Sequence, residues 1–217
     1  MSCWKRVRPG SRQDLRCNGI QNAARLRQLS FAVERTHCSD DPEEIAARMQ
    51  DLLTRCDAVI TSGGVSVGRR ITCHSAGNAA RGACFCRGGP EARQPHDRCT
   101  GGEKLVFCLS GNPFAAAATL EQYAVPALLR AAGRREEDCI PVHTRGRLTT
   151  GFSKPSKGTR FLRARALGGL VEIPGEATRR RIPRQSVGMM GCNCLVELPA
   201  GSGPVAPGEE VEVLNFV

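Results

Sequence analysis

Aromatic side chains are scarce in this chain: one Trp, one Tyr and seven Phe make up 4% of its 217 residues. Proteins that grip single-stranded nucleic acid stack bases on aromatics interleaved with basic groups. That interleaving is missing even around Arg179, Arg180 and Arg181, a triplet that reads as a solvated hairpin turn. No apolar run is long enough to span a bilayer, and Met1 to Arg6 shows no secretory-leader pattern. The expectation is therefore a cytoplasmic protein with neither a membrane nor a nucleic acid as partner. Paired two-residue cysteine spacing is also lacking. Cys84, Cys86 and Cys99, or Cys73 beside His74, make no structural zinc site, and Cys192 and Cys194 fall on a strand-like run where buried thiols are the default. There is no internal repeat.

What the chain has in excess is cysteine, twelve residues, and positive charge, 31 Lys and Arg against 21 Asp and Glu. Both are concentrated. Residues 1–22 and 69–102 carry +8 of the net +10 and six of the twelve cysteines. A net charge of that size ordinarily points to nucleic acid. Here it belongs to two stretches without helical or alternating apolar periodicity, and the remainder is a nearly balanced α/β chain. Enrichment in Cys, Arg and Gly is what a GC-rich coding strand yields when read out of register. A permitted codon set for Ser11–Asn22, read with one base skipped, gives Pro-Gly-Lys-Ile-Tyr-Asp-Ala-Thr-Gly-Tyr-Arg-Met. The same treatment of Gly82–Gly101 gives a segment containing Ala-Arg-Lys-Pro-Gly-Asn-Pro-Met. Both stretches read as frame-shifted. Residues 1–11 and much of 69–102 bury too little apolar surface to offset chain entropy and are expected to lack a packed core role.

Two glycine loops carry the functional signal. Thr61-Ser-Gly-Gly-Val-Ser-Val-Gly68 follows the apolar run Ala58–Thr61, and Ser110-Gly-Asn-Pro-Phe114 follows Leu105–Leu109. Pro113 suits a first helical turn and an alanine-rich run follows it. A strand that delivers glycines and hydroxyls to a helix start exposes unpaired backbone N–H groups, a setting that binds phosphate. Two such loops place an anionic ligand at the carboxyl ends of a parallel sheet; two ordinary strand-to-helix turns would have the same pattern.

The two loops, with Cys56-Asp57 before the first, resemble signature loops of the molybdopterin molybdenumtransferase family. Thr36–Glu44 resembles the segment preceding its first loop. Phe152–Val213 is similar to its small C-terminal β domain, notably Gly191–Leu195 and Pro207–Val213. The out-of-register readings resemble two further family segments, a strand-turn-helix and a lysine-proline-glycine loop. The likeness covers 23–68 and 103–217, about the C-terminal half of a family member. It implies transfer of molybdenum from molybdate to adenylated molybdopterin (molybdopterin-AMP), with Mg2+ and release of AMP, in a cytoplasmic homodimer.

On that resemblance the pterin-nucleotide cradle is Thr61, Ser62, Gly63, Gly64, Ser66 and Gly68 together with Ser110, Gly111, Asn112 and Pro113. Asp40 and Asp41 match an acidic pair tied to the metal or molybdate step, with Asp41 the catalytic candidate. One of the two serving only as a helix N-cap stays open, and Asp57 reads as a turn residue. The family's acidic residue after the first loop is replaced by Arg69-Arg70-Ile71, and its cationic loop by Glu91–His96. Impaired transfer is therefore expected. The alternative is a non-catalytic pterin- or nucleotide-binding module, or a degenerate fragment.

The expected fold is a three-layer parallel-sheet α/β domain over 12–133, aberrant at 69–102, followed by a small β-barrel or sandwich over 139–217. Ala23–Leu29 reads as the end of a helix and Phe31–Thr36 as a strand. Asp40 or Asp41 caps a helix whose Ile45, Met49, Leu52 and Leu53 form one apolar face. The helix from Pro113 ends near Gly133, a natural cap, and Arg134–Asp138 is a charged connector. Short β-like runs at Phe161–Ala166, Leu170–Ile173, Cys194–Leu198 and Val211–Leu214 complete the reading.

Overall fold

The computed structural model describes residues 17–39, 41–62, 84–87, 104–174, 189 and 191–216, with backbone alone at 17 and 84–87. Residues 1–11 and most of 69–102, for which no packed core role is expected, lie outside these. Cys84–Arg87 does not: it forms a strand.

Helix α1 (Cys17–Gln28) packs Ala23 and Leu26 inward. It ends with Ser30 in the left-handed region, φ 67°. Ser30 N donates to Arg27 O at 2.9 Å and Phe31 N to Leu26 O at 3.0 Å. That 5→2 and 6→1 pair normally selects glycine at the left-handed position. Phe31–Thr36 is extended but pairs with no strand among the described residues. Its alternation has another cause: Phe31 and Val33 pack on the core while the Arg27 guanidinium takes the Val33 carbonyl at 2.9 Å.

Helix α2 (Pro42–Arg55) returns the chain to strand β1 (Ala58–Ser62). Strand β3 (Leu105–Leu109) lies between β1 and β2 (Cys84–Arg87), and both pairings are parallel. All five β3 residues are buried, as a strand covered on both faces requires. Leu105, Phe107 and Leu109 face α1 and the helices after β3, whereas Val106 and Cys108 meet Ile45 and Met49 of α2.

Helix α3 (Pro113–Thr119) runs through a π turn (Leu120–Ala124) into α4 (Val125–Ala131). Pro126 has no N–H to offer the Gln122 carbonyl, and its ring crowds that turn, which explains the local widening. α4 stops at Gly133, φ 85°, where Gly133 N and Arg134 N bond the Arg130 and Leu129 carbonyls at 3.0 and 3.1 Å. That is the cap expected from the sequence.

The C-terminal part is a closed five-stranded barrel, β4 (Val142–Leu148), β6 (Leu170–Glu172), β5 (Arg160–Leu167), β7 (Cys194–Leu198) and β8 (Glu210–Asn215), in that order around the wall. Closure removes the sheet edges a sandwich would leave. The β4–β6 pair is parallel and the rest antiparallel. The barrel meets α3 through Ala118, Leu195 and Leu214, with Phe114, Phe161, Met189 and Phe216 around them. No helix among the described residues is long and apolar enough to cross a membrane.

Cys194 lies at 0% exposure, and burial, then Cys192, pushes its thiol up to about 11. The ordinary thiol value is 9.0. Between those values the unfolded chain releases a proton that the native barrel keeps, so stability is complete below the lower value and falls as pH rises through the upper one. The expected loss is about 2–3 kcal/mol. Urea unfolding at about pH 8 and about pH 10.5 reads it; a flat profile would count against this thiol being buried in the native state.

Candidate functional site

Because β1 and β3 run parallel with Ser62 opposite Leu109, the loops after them leave the same end of the sheet side by side. α2 runs back along β1 through the short Cys56–Asp57 turn, so its N-terminus is at that end too. Thr61, Ser62, Ser110, Gly111, Asn112, Pro113 and Asp41 thus converge at the carboxyl edge, where open parallel sheets receive ligands. Asp40, Gly63, Gly64, Ser66 and Gly68 lie outside the described residues.

The two loops are tied together. Ser62 Oγ donates to the Ser110 carbonyl at 3.1 Å. From the first turn of α1, Asn18 Nδ2 donates to Ser62 Oγ at 2.7 Å, to Gly111 O at 3.0 Å and, more weakly, to Ser110 O at 3.4 Å. The single hydroxyl proton of Ser62 is therefore engaged with protein.

Much of the donor capacity of the second loop is engaged as well. Asn112 caps α3: its Oδ1 accepts from Phe114 N at 3.0 Å and Ala115 N at 3.2 Å, and its own N–H goes to Ser110 Oγ at 3.1 Å. Pro113 has no N–H at all. What this loop can still direct at an anion is the Ser110 hydroxyl proton, whose oxygen only accepts in the cap, and the Gly111 N–H. The trans peptide geometry sets that group opposite to the inward-turned Ser110 carbonyl.

Asp41 is the N-cap of α2, its Oδ1 accepting from Glu43 N at 3.1 Å. Glu44 reaches back to Ser39, taking the backbone N–H at 3.2 Å and the hydroxyl at close range. The Ser39 hydroxyl, first of all, holds the Glu44 carboxyl below the usual range. Of the two acidic candidates, the one described does what a cap does. No group of three His, Cys, Asp or Glu able to hold a metal occurs among the described residues. Thr61 Oγ1 is buried with no hydrogen-bond partner among them, an unspent polar atom at the head of the first loop.

Behind the loops, Arg25 and Glu121 form a two-pronged pair, Nε–Oε1 at 2.6 Å and Nη2–Oε2 at 3.1 Å. Glu121 is 6% exposed, in the π turn. Asn18, Asn22 and Arg25 follow one another at i, i+4 and i+7, a polar stripe turned toward the domain. Asn22 Oδ1 is buried with no described partner. Residue-by-residue reading missed this stripe because Asn18 and Asn22 lie in a stretch set aside as out of register. A polar stripe at helical spacing beside Ala23 and Leu26 was the signal that could have found it. On the barrel side, the Arg163 guanidinium sits over the Phe114 ring, 5.9 Å from its centre, which fastens the start of α3 to β5.

Residues 17–130 match a family described as a probable molybdopterin binding domain, and residues 145–216 match the MoeA C-terminal region, domain IV. A molybdopterin molybdenumtransferase of Staphylococcus aureus strain Mu50 is 28% identical over 181 residues, covering 81% of this chain and 42% of that protein. The molybdenum cofactor synthesis protein cinnamon of Drosophila melanogaster is 28% identical over 184 residues, 82% of this chain and 30% of that one. In three dimensions the chain is similar to a molybdopterin biosynthesis MoeA protein from Pyrococcus horikosii, with a TM-score of 0.68 and 22% identity over 97% of this chain and 51% of that one. The chain thus spans under half the length of the curated relatives it matches. A parallel sheet with paired loops at its carboxyl edge, joined to a five-stranded barrel, agrees with both matches: the chain belongs to the molybdopterin-binding-domain family, in the MoeA-like group that carries domain IV.

Proposed function

We propose that the chain binds a phosphate-bearing pterin nucleotide at the carboxyl edge of β1 and β3 and belongs to molybdenum cofactor biosynthesis. The observation that carries this is the convergence of Thr61–Ser62 and Ser110–Pro113, tied by Asn18, at the one sheet edge where such ligands sit. The relatives named molybdopterin molybdenumtransferase supply the reaction class. In this reading the ligand is molybdopterin-AMP, held by Thr61, Ser62, Gly63, Gly64, Ser66, Gly68, Ser110, Gly111, Asn112 and Pro113. The second substrate is molybdate. The α/β unit is the three-layer domain over 12–133, and the barrel unit spans 139–217. Homodimeric assembly and a cytoplasmic location accompany the family reading.

Mg2+ would supply charge neutralisation between phosphate and molybdate. The described residues do not assemble a site for it: Asp41 caps α2, and no three ligands converge. Asp40 and Asp41 are the carboxylates proposed to face a cation carried in on substrate oxygens. Arg69-Arg70-Ile71 and Glu91–His96, where the family resemblance calls for an acidic residue and a cationic loop, favour binding with weak or no transfer.

Titration calorimetry with AMP and a cofactor-insertion assay test the proposal together. AMP should bind the unaltered chain, Gly64→Leu and Gly111→Leu should abolish binding, and the Cys84→Ser, Cys86→Ser pair should leave it unchanged. Absence of AMP binding would sink the site; full insertion activity would sink the impairment.

A further inference from the structure

We propose that Asn18 is a positioning residue for this site: its carboxamide holds the Ser110–Gly111 peptide in the orientation that turns the Gly111 N–H toward the ligand. The inference rests on the binding reading above and adds a residue to it. Asn18 Nδ2 meets Ser62 Oγ at 2.7 Å, Gly111 O at 3.0 Å and Ser110 O at 3.4 Å. One donor group thus serves acceptors on two loops from α1, a third element.

Three oxygens brought to one spot repel one another unless a donor lies between them. Ser62 offers one proton, and it goes to Ser110 O. Asn18 acts on that carbonyl mainly through Ser62: it holds the Ser62 oxygen at 2.7 Å, so that the hydroxyl proton is given to Ser110 O, while it bonds Gly111 O at 3.0 Å and adds a weak 3.4 Å contact to Ser110 O itself. Peptide planarity then transmits the constraint: fixing the Ser110 carbonyl inward fixes the Gly111 N–H on the opposite side of the loop. The neighbouring donors are already used, since Asn112 N, Phe114 N and Ala115 N bond within the cap. Beside the Ser110 hydroxyl, which can rotate to suit, Gly111 N–H is therefore a backbone donor left to an anion, and Asn18 sets its direction without touching the ligand.

Asn18→Ala removes the donor, and Asn18→Asp replaces it, atom for atom, with an acceptor facing three acceptors. Asn18→Gln keeps the amide on a longer arm. Each variant is compared with the unaltered chain for AMP affinity, for thermal midpoint, and for the Gly111 amide proton by NMR and hydrogen exchange without ligand. The expected result is a loss of AMP affinity of about ten- to a hundredfold in Asn18→Ala and more in Asn18→Asp. Partial recovery is expected in Asn18→Gln, whereas Asn18→Ala and Asn18→Asp should shift the Gly111 amide resonance at a nearly constant thermal midpoint. Affinity unchanged in Asn18→Ala and Asn18→Asp would overturn the proposal. So would a loss that merely follows a falling midpoint with Gly111 undisturbed, since that marks a structural role. If the unaltered chain itself fails to bind AMP, the binding reading falls, and the positioning role falls with it only where the Gly111 amide is also indifferent to Asn18.

Discussion

Replacing Arg25 with Met should lower the unfolding free energy of the α/β unit by about 3 kcal/mol. Arg25 and Glu121 form a bidentate pair between α1 and the π turn, and the Glu121 side chain is only 7% exposed. Removing the guanidinium strands a carboxylate that is almost wholly out of reach of solvent. The pair itself is not the source of the effect. Desolvation cancels much of its Coulomb gain, so Arg25→Met with Glu121→Met should sit far closer to the unaltered chain than Arg25→Met alone. Chemical unfolding of the four-member cycle measures this. A double variant as unstable as the single one would mean that the arginine acts through packing rather than through the carboxylate.

Gly146→Leu should cost the barrel at least about 3 kcal/mol. Gly146 lies in β4 between β6 and β8, and a Cβ built there would overlap Val171 Cγ2, with Val213 Cγ2 and the Gly169 carbonyl oxygen each 3.4 Å away. Val171 and Val213 are both 1% exposed. A β-branched side chain fixed at χ1 in a filled barrel has nowhere to turn. The clash is with one methyl group rather than with backbone, so Val171→Ala should rescue Gly146→Ala and only partly rescue Gly146→Leu. Thermal unfolding followed by near-ultraviolet dichroism of the four chains decides it. Gly146→Ala as stable as the unaltered chain would show that Val171 yields freely.

Much of the architecture was legible because local chemistry and burial agree. The Leu105–Leu109 run could only be a strand covered on both faces, Pro113 and Gly133 bracket a helix, and the Ile45, Met49 stripe points α2 at the sheet. Phe31–Thr36 went the other way: alternation that marks a strand in the sequence came from two side chains laid on the core by a chain with no ladder partner among the described residues. β4 was not legible at all. Val142, His143, Thr144 and Arg145 are exposed, and the Gly at 146 breaks the β pattern, because the space its side chain would take is filled by Val171 of the neighbouring strand β6.

The sequence by itself determined that two glycine loops follow buried strands, that one opens a helix, and that a β domain comes after. These are consequences of residue order, since capping, turn chemistry and apolar periodicity act within a few residues of one another. Tertiary structure decided how the loops are used. Ser62, Ser110 and Gly111 meet Asn18 across separations of 44, 92 and 93 residues, and Arg25 meets Glu121 across 96. No local pattern encodes such contacts. They exist because parallel β1 and β3 bring both loops to one edge, and packing of α1 against the sheet lays Asn18 over the loops and Arg25 behind them.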